Sequence, residues 1–174
     1  MSTPAGIYRI DAIGEGSLAI SAHPASSADA DSRIAEIAAS GIDRVISLLE
    51  PAEARSLGLQ HEGDLVSAQA MDFLSFPIPD MGLPESIDAF AQLSRRLYRQ
   101  IHAGGHTLIH CRAGVGRSGL LAAAILMHGG RDAHQAFAHV ARRRGMPVPE
   151  TSGQGAWLAA NQATIIGAAR RKSC

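Results

Sequence analysis

The chain has 174 residues, 46% of them apolar and 18% charged, and its sixteen basic residues balance its sixteen acidic ones. That length predicts one domain over residues 1–174 with room for a sizeable core. Zero formal net charge excludes a global field that would draw the protein to nucleic acid or a membrane, so any attraction for an anion must be local. Two cysteines, Cys111 and Cys174, are too few for a disulfide framework or a zinc site. The eight histidines make no metal pattern, so neither a metal nor any other cofactor is expected. The first residues lack the basic-then-apolar order of a signal peptide, and the longest apolar run, 120–127, is too short to span a bilayer.

In chain order, residues 7–10 and 18–21 read as short strands around a turn at Gly14-Glu15-Gly16. Asp29 or Asp31 can cap a helix carrying Ile34, Ile37 and Ala38 on one face, which Gly41 ends. Residues 45–49 are continuously apolar, the mark of a strand buried on both faces. Short helices are expected over 51–57 and 62–69, and a strand over 73–78, broken by Pro77 and Pro79. Pro84 and Glu85 open the best helix, since proline suits the first turn and Glu85 and Asp88 favour the positive end of the dipole. Ile87, Phe90, Leu97 and Ile101 share one face, with Arg95, Arg96 and Arg99 mostly elsewhere, and Gly104-Gly105 ends it. A strand over 107–110 then leads through a loop into a helix from 118 to about 128. Helices over 132–143 and 155–170 complete the chain, with Trp157 packing the last on the core. Helices alternating with short apolar strands give an α/β fold.

The most informative run is His110-Cys111-Arg112-Ala113-Gly114-Val115-Gly116-Arg117-Ser118. Five residues separate the cysteine from Arg117, enough for a tight loop whose backbone N–H groups converge on one anion. Arg112, Ala113, Gly114, Val115, Gly116 and Arg117 form this cradle, and Gly114 and Gly116 let the backbone turn and approach the anion. The loop empties into a helix N-terminus, whose field favours both a bound anion and a Cys111 thiolate. The thiolate is placed to attack phosphorus, Arg117 to hold two phosphoryl oxygens, and Ser118 to donate to the sulfur as it departs. His110 would order the loop from behind. A reactive thiol needs a reducing compartment, so a cytoplasmic location is expected.

A leaving oxygen needs a proton, and the donor belongs on a separate mobile loop. Phe76-Pro77-Ile78-Pro79-Asp80-Met81-Gly82-Leu83-Pro84 fits: it leaves a strand, carries one carboxylate and lies before Cys111 with one helix and one strand between. Asp80 is the candidate acid, with Asp72 and Asp88 as poorer alternatives. Arg142-Arg143-Arg144 reads as a solvated helix end, since consecutive helical residues point in different directions.

The string from His110 to Ser118, preceded by the Asp80 loop, resembles the cysteine-dependent protein tyrosine phosphatases, and most of all their compact dual-specificity and kinase-associated-phosphatase-like branch. That resemblance, which runs from the first strand pair through Gln154, implies a central, mostly parallel sheet flanked by helices and a phosphocysteine intermediate formed without metal. It also implies a glutamine after the loop that positions the hydrolytic water, for which Gln154 is the match. The expected substrate is a phosphoprotein bearing phosphotyrosine, and possible further targets are phosphoserine and phosphothreonine. Nucleic acid and membrane are not expected as partners, and the expected state is a monomer. Ala113 and Val115 stand where phosphoinositide and polyphosphate members carry basic residues, which argues against those substrates. Two other readings share the motif: a non-catalytic phosphate-binding module, and a phosphatase of a small phosphorylated metabolite. Sulfur transfer or arsenate reduction by Cys111 is a more remote one.

Overall fold

A computed structural model describes residues 4–26 and 29–167; Cys174 and the end of the expected last helix lie outside them. Five strands are present: β1 (Ile7–Ile13), β2 (Gly16–Ser21), β3 (Arg44–Ser47), β4 (Asp72–Ser75) and β5 (His106–His110). They form one sheet in the order β1-β2-β5-β3-β4. Only the β1–β2 hairpin is antiparallel; β2, β5, β3 and β4 all run the same way. The mostly parallel α/β architecture expected from the sequence is therefore present.

The eight helices of the described residues are α1 (Ala30–Ala39), α2 (Pro51–Ser56), α3 (Glu62–Ala68), α4 (Ile87–His102), α5 (Gly116–Met127), α6 (Ala133–Arg144), α7 (Ser152–Ala160) and α8 (Gln162–Gly167). Successive strand side chains point to opposite faces, and two cores result. Ala19, Val45 and Leu108 join Ile34 and Ile37 of α1 and Val66 of α3 in the smaller one. Leu18, Ile20, Ile46 and Ile109 face the larger one, with Phe90 and Leu97 of α4 and every residue of α5 from Leu120 to Met127. All twelve residues of α5 are buried, so the helix that carries Arg117 is held on every side.

Several boundaries differ from the sequence reading for local reasons. The helix α4 starts at Ile87, not at Pro84, because the Ser86 hydroxyl accepts from the Ala89 N–H at 3.2 Å and makes Ser86 the cap. Strand β4 stops at Ser75, since Pro77 and Pro79 have no N–H for the ladder, although Ile78 N still reaches Leu48 O at 3.1 Å. The expected last helix breaks at Asn161, whose side chain donates to the Trp157 carbonyl at 2.8 Å and competes with the backbone. Trp157 packs edge-on against Phe90 with ring centroids 5.3 Å apart. Asp29, not Asp31, caps α1.

The parallel strands carry their carboxyl ends to one side of the molecule. There the segments after β2, β3, β4 and β5 meet, as open α/β sheets require of a binding site.

Candidate active site

Cys111 is the first residue past β5 and only 2% exposed. Residues 112–115 turn the chain back into α5, which begins at Gly116, two residues earlier than the sequence suggested. Gly114 has φ +68°, and a Cβ there would collide with the carbonyl of Ser21 at the end of β2. Only glycine lets the loop sit against that strand. Val115 caps α5 without any side-chain hydrogen bond, and among the described residues no side chain accepts from the N–H groups of the first turn. Such a cradle suits a tetrahedral oxyanion.

Arg117 lies in that first turn with its side chain 2% exposed. Nη1 donates to Glu53 Oε2 at 2.8 Å, to Ile78 O at 3.0 Å and, longer, to Leu48 O at 3.4 Å. Nη2 donates to Glu53 Oε1 at 2.9 Å and to Asp80 Oδ1 at 2.8 Å. Burial alone would lower the Arg117 pKa, but the bonds to Glu53 and the negative charges of Cys111, Glu53 and Asp80 outweigh it and hold the group above its ordinary value. Glu53 is held below the usual carboxylate range, first by the hydrogen bonds from Arg117 and against the opposing effect of burial. Both groups are thus charged at neutral pH, and they form a bidentate pair.

The structure brings Asp80 to this guanidinium on the segment that follows β4. A turn closed by Gly82 N on Pro79 O at 2.8 Å presents its carboxylate, which stays half exposed. Gln154 is fully buried at the start of α7. Its Nε2 donates to Gly82 O at 3.2 Å and its Oε1 accepts from Thr151 N at 3.3 Å. It therefore latches the Asp80 segment to α7. Asp72 pairs instead with Arg44 at 2.8 Å, and Asp88 sits in the first turn of α4.

Behind the loop, His110 Nε2 donates to Glu62 Oε1 at 2.6 Å, and both side chains are buried. His110 Nδ1 lies 3.4 Å from the Cys111 carbonyl. The Ser118 hydroxyl is buried and has no hydrogen-bond partner among the described residues. Arg112 projects outward, 54% exposed, with Nη1 3.7 Å from Glu53. Ala113 is exposed and Val115 buried, so the loop interior carries no further cation. His23, whose N–H donates to Arg112 O at 3.3 Å, has its pKa lowered by burial and by the neighbouring His110 and Arg112.

Of the arginine cluster, Arg142 and Arg143 stay exposed at the helix end as expected, whereas Arg144 turns onto the loop. Arg144 donates from Nε to Gly114 O at 2.9 Å and from Nη2 to Ala113 O at 3.2 Å, with its Cζ 3.8 Å above the Tyr8 ring. Arg143 donates to Ile10 O at 3.2 Å. Glu53, Glu62 and Arg144 are the members of the site that sequence reasoning missed. The one available signal for Glu53 was its place three residues after Glu50 and two after Pro51, which makes a capping box and not a site motif. Among the described residues no His, Cys, Asp and Glu cluster could hold a metal ion, and no helix is long and apolar enough to cross a membrane.

A buried cysteine and arginine bracketing a phosphate-sized loop at the head of a helix define a cysteine-dependent phosphatase, and comparison with known proteins agrees. Residues 27–162 match the family described as dual specificity phosphatase, catalytic domain, so the chain belongs to that family and is a phosphatase. Its fold is similar to that of a kinase associated phosphatase with serine in place of the catalytic cysteine: TM-score 0.84, 21% identity, covering 96% of this chain and 98% of that one. Tk-PTP in its active form has a TM-score of 0.74 at 27% identity, covering 92% of this chain and 97% of its own. PTPMT1 in complex with PI(5)P has a TM-score of 0.75 at 19% identity, covering 94% and 99%. Comparison with curated protein sequences gave no match.

Proposed function

We propose that this phosphatase removes phosphate from phosphotyrosine, and also from phosphoserine and phosphothreonine, in proteins through a phosphocysteine intermediate. The observation that carries the reading is the convergence of Cys111, buried Arg117 and Asp80, the last two 2.8 Å apart, at the N-terminus of α5. The nucleophile is Cys111 in its thiolate form, at the head of α5. An incoming phosphate competes with Asp80 for Nη2 of Arg117, and that exchange frees the carboxyl group for the leaving oxygen. Sulfur then donates a pair to phosphorus, the bond to the leaving oxygen breaks, and Asp80 in its acid form passes its proton to that oxygen. Water attacks the phosphorus and gives a proton back to Asp80. The phosphorus–sulfur bond breaks, its pair returns to sulfur, and the unpartnered Ser118 hydroxyl donates to the thiolate that leaves. Gln154 holds the acid segment at Gly82 with one of its two amide N–H groups and, in this reading, also positions the water.

The uncharged interior at Ala113 and Val115 supports a monophosphate over a polyanion. A panel of phosphotyrosine, phosphoserine and phosphothreonine peptides, inositol phosphates and a small aryl phosphate tests the reading. Cys111→Ser is expected to abolish turnover of all of them. Asp80→Asn should reduce turnover by about 10²–10⁴-fold, as loss of a general acid does. Undiminished turnover in Cys111→Ser would overturn the mechanism, and hydrolysis confined to small metabolites would overturn the protein substrate.

A further inference from the structure

Strand β4 is the outer edge of the sheet, and between it and α4 runs a groove of about 470 Å³. Leu74, Phe76 and Leu93 supply its apolar surface. Gln92, Arg96 and Arg99, four and three positions apart, stand along one side of α4 and form its wall. Arg96 and Arg99 are exposed, and neither makes an ion pair among the described residues. Arg95 also lines the groove, and none of the described residues that line it is acidic. In a chain of zero formal net charge, Arg96 and Arg99 make this a local cationic strip.

The groove has the dimensions of a short extended peptide. Ala89 and Gln100 bound it on α4, and the eleven helical steps between them rise roughly 16 Å, which is the span of about five residues in a strand. An extended chain alternates its side chains, so acidic residues could meet Arg96 and Arg99 while apolar ones settle on Leu74 and Phe76. Phe76 also opens the segment that carries Asp80 four residues later, so the groove begins where the candidate active site ends.

We propose that this groove docks an acidic, extended segment of the phosphoprotein substrate, outside the residue that carries the phosphate. The proposal rests on the reading above that the substrate is a protein. It makes Arg96 and Arg99 determinants of which phosphoproteins are chosen, without touching the chemistry.

Two phosphotyrosine peptides of equal length test it, one with alternating Asp and Leu beyond a short Gly-Ser spacer and the other with Ser and Gly there. At low salt the acidic peptide should have a KM roughly 3–10-fold lower, a gap that closes as salt is raised. The Arg96→Glu/Arg99→Glu protein should lose or invert that preference while turning over a small aryl phosphate as the unchanged protein does. If aryl phosphate turnover also falls, the milder Arg96→Gln/Arg99→Gln pair decides. Equal KM values in the unchanged protein, or a preference that survives the substitutions, would overturn the docking groove. If neither peptide is dephosphorylated while the aryl phosphate is, the protein-substrate reading has failed. The groove is then judged by anisotropy of a fluorescent, unphosphorylated acidic peptide, which should bind the unchanged protein and not the variant. No binding there, with anionic vesicles or a second copy of the chain held by the same arginines instead, would overturn it.

Discussion

Arg117 is almost without solvent, and the contacts of its two terminal nitrogens are oxygens brought by other elements: Leu48, Glu53, Ile78 and Asp80. Stripping one partner from a buried ion pair costs about 3–5 kcal/mol, because the remaining charge stays in the interior. Glu53→Ala should therefore lower the denaturant midpoint severely and reduce aryl phosphate turnover with it. The same carboxylate predicts a pH effect. Its folded pKa is depressed below the ordinary 4.5, so the fold binds fewer protons than the unfolded chain there. The stabilisation is whole above about pH 4.5 and is lost as pH falls through the folded value. An acid titration of Glu53→Gln should lose less stability below pH 4.5 than the parent; an identical acid limb would count against this role. Much of the site was legible at this scale, and the reason for the remainder is physical. Cys111, Arg117 and Ser118 lie in one continuous string, and Asp80 lies on a segment whose prolines announce a loop. Glu53 and Glu62 meet Arg117 and His110 across 64 and 48 positions, and Arg144 reaches Gly114 across 30. No local spacing encodes such partnerships; the sheet makes them by bringing strand ends together.

Among the elements, α4 and α5 show how the site's mounting responds to pH. His128 closes α5 with its Nε2 3.0 Å from Ser94 Oγ of α4. Burial, with Arg95 adding to it, pushes its pKa down to about 4 from 6.5. The imidazole is thus neutral in the fold, and the unfolded chain takes up the proton first. Stability from this contact is complete above pH 6.5 and drains away as pH falls from 6.5 toward 4. His128→Asn should flatten the dependence of the melting temperature on pH across that window; a slope equal to the parent's would refute the assignment. The elements themselves were largely readable, since apolar runs and helical periodicity gave every strand and nearly every helix. Their ends were less so. Ser86 capturing α4, Pro77 and Pro79 cutting short β4, and Asn161 dividing α7 from α8 are contests between a side chain and the backbone that periodicity does not register.

Across the whole molecule, the β1–β2 hairpin stands outside the stretch of 27–162 that matches the family, yet the loop of Cys111 depends on it. Strand β2 pairs with β5 over five residues, from Ser17 with His106 to Ser21 with His110. Gly114 lies against the Ser21 carbonyl, and Arg144 grips the loop while resting on Tyr8 of β1. A chain begun at residue 22 is expected to lose aryl phosphate turnover and the slow amide exchange of β5, although the signature string and Asp80 are all retained; full activity in that shortened protein would show the hairpin to be dispensable. The stretch that matches the family description is in that sense a chemical unit without being a mechanical one. Moved alone into another protein, it would carry its reagents but leave behind the surface that gives them their shape.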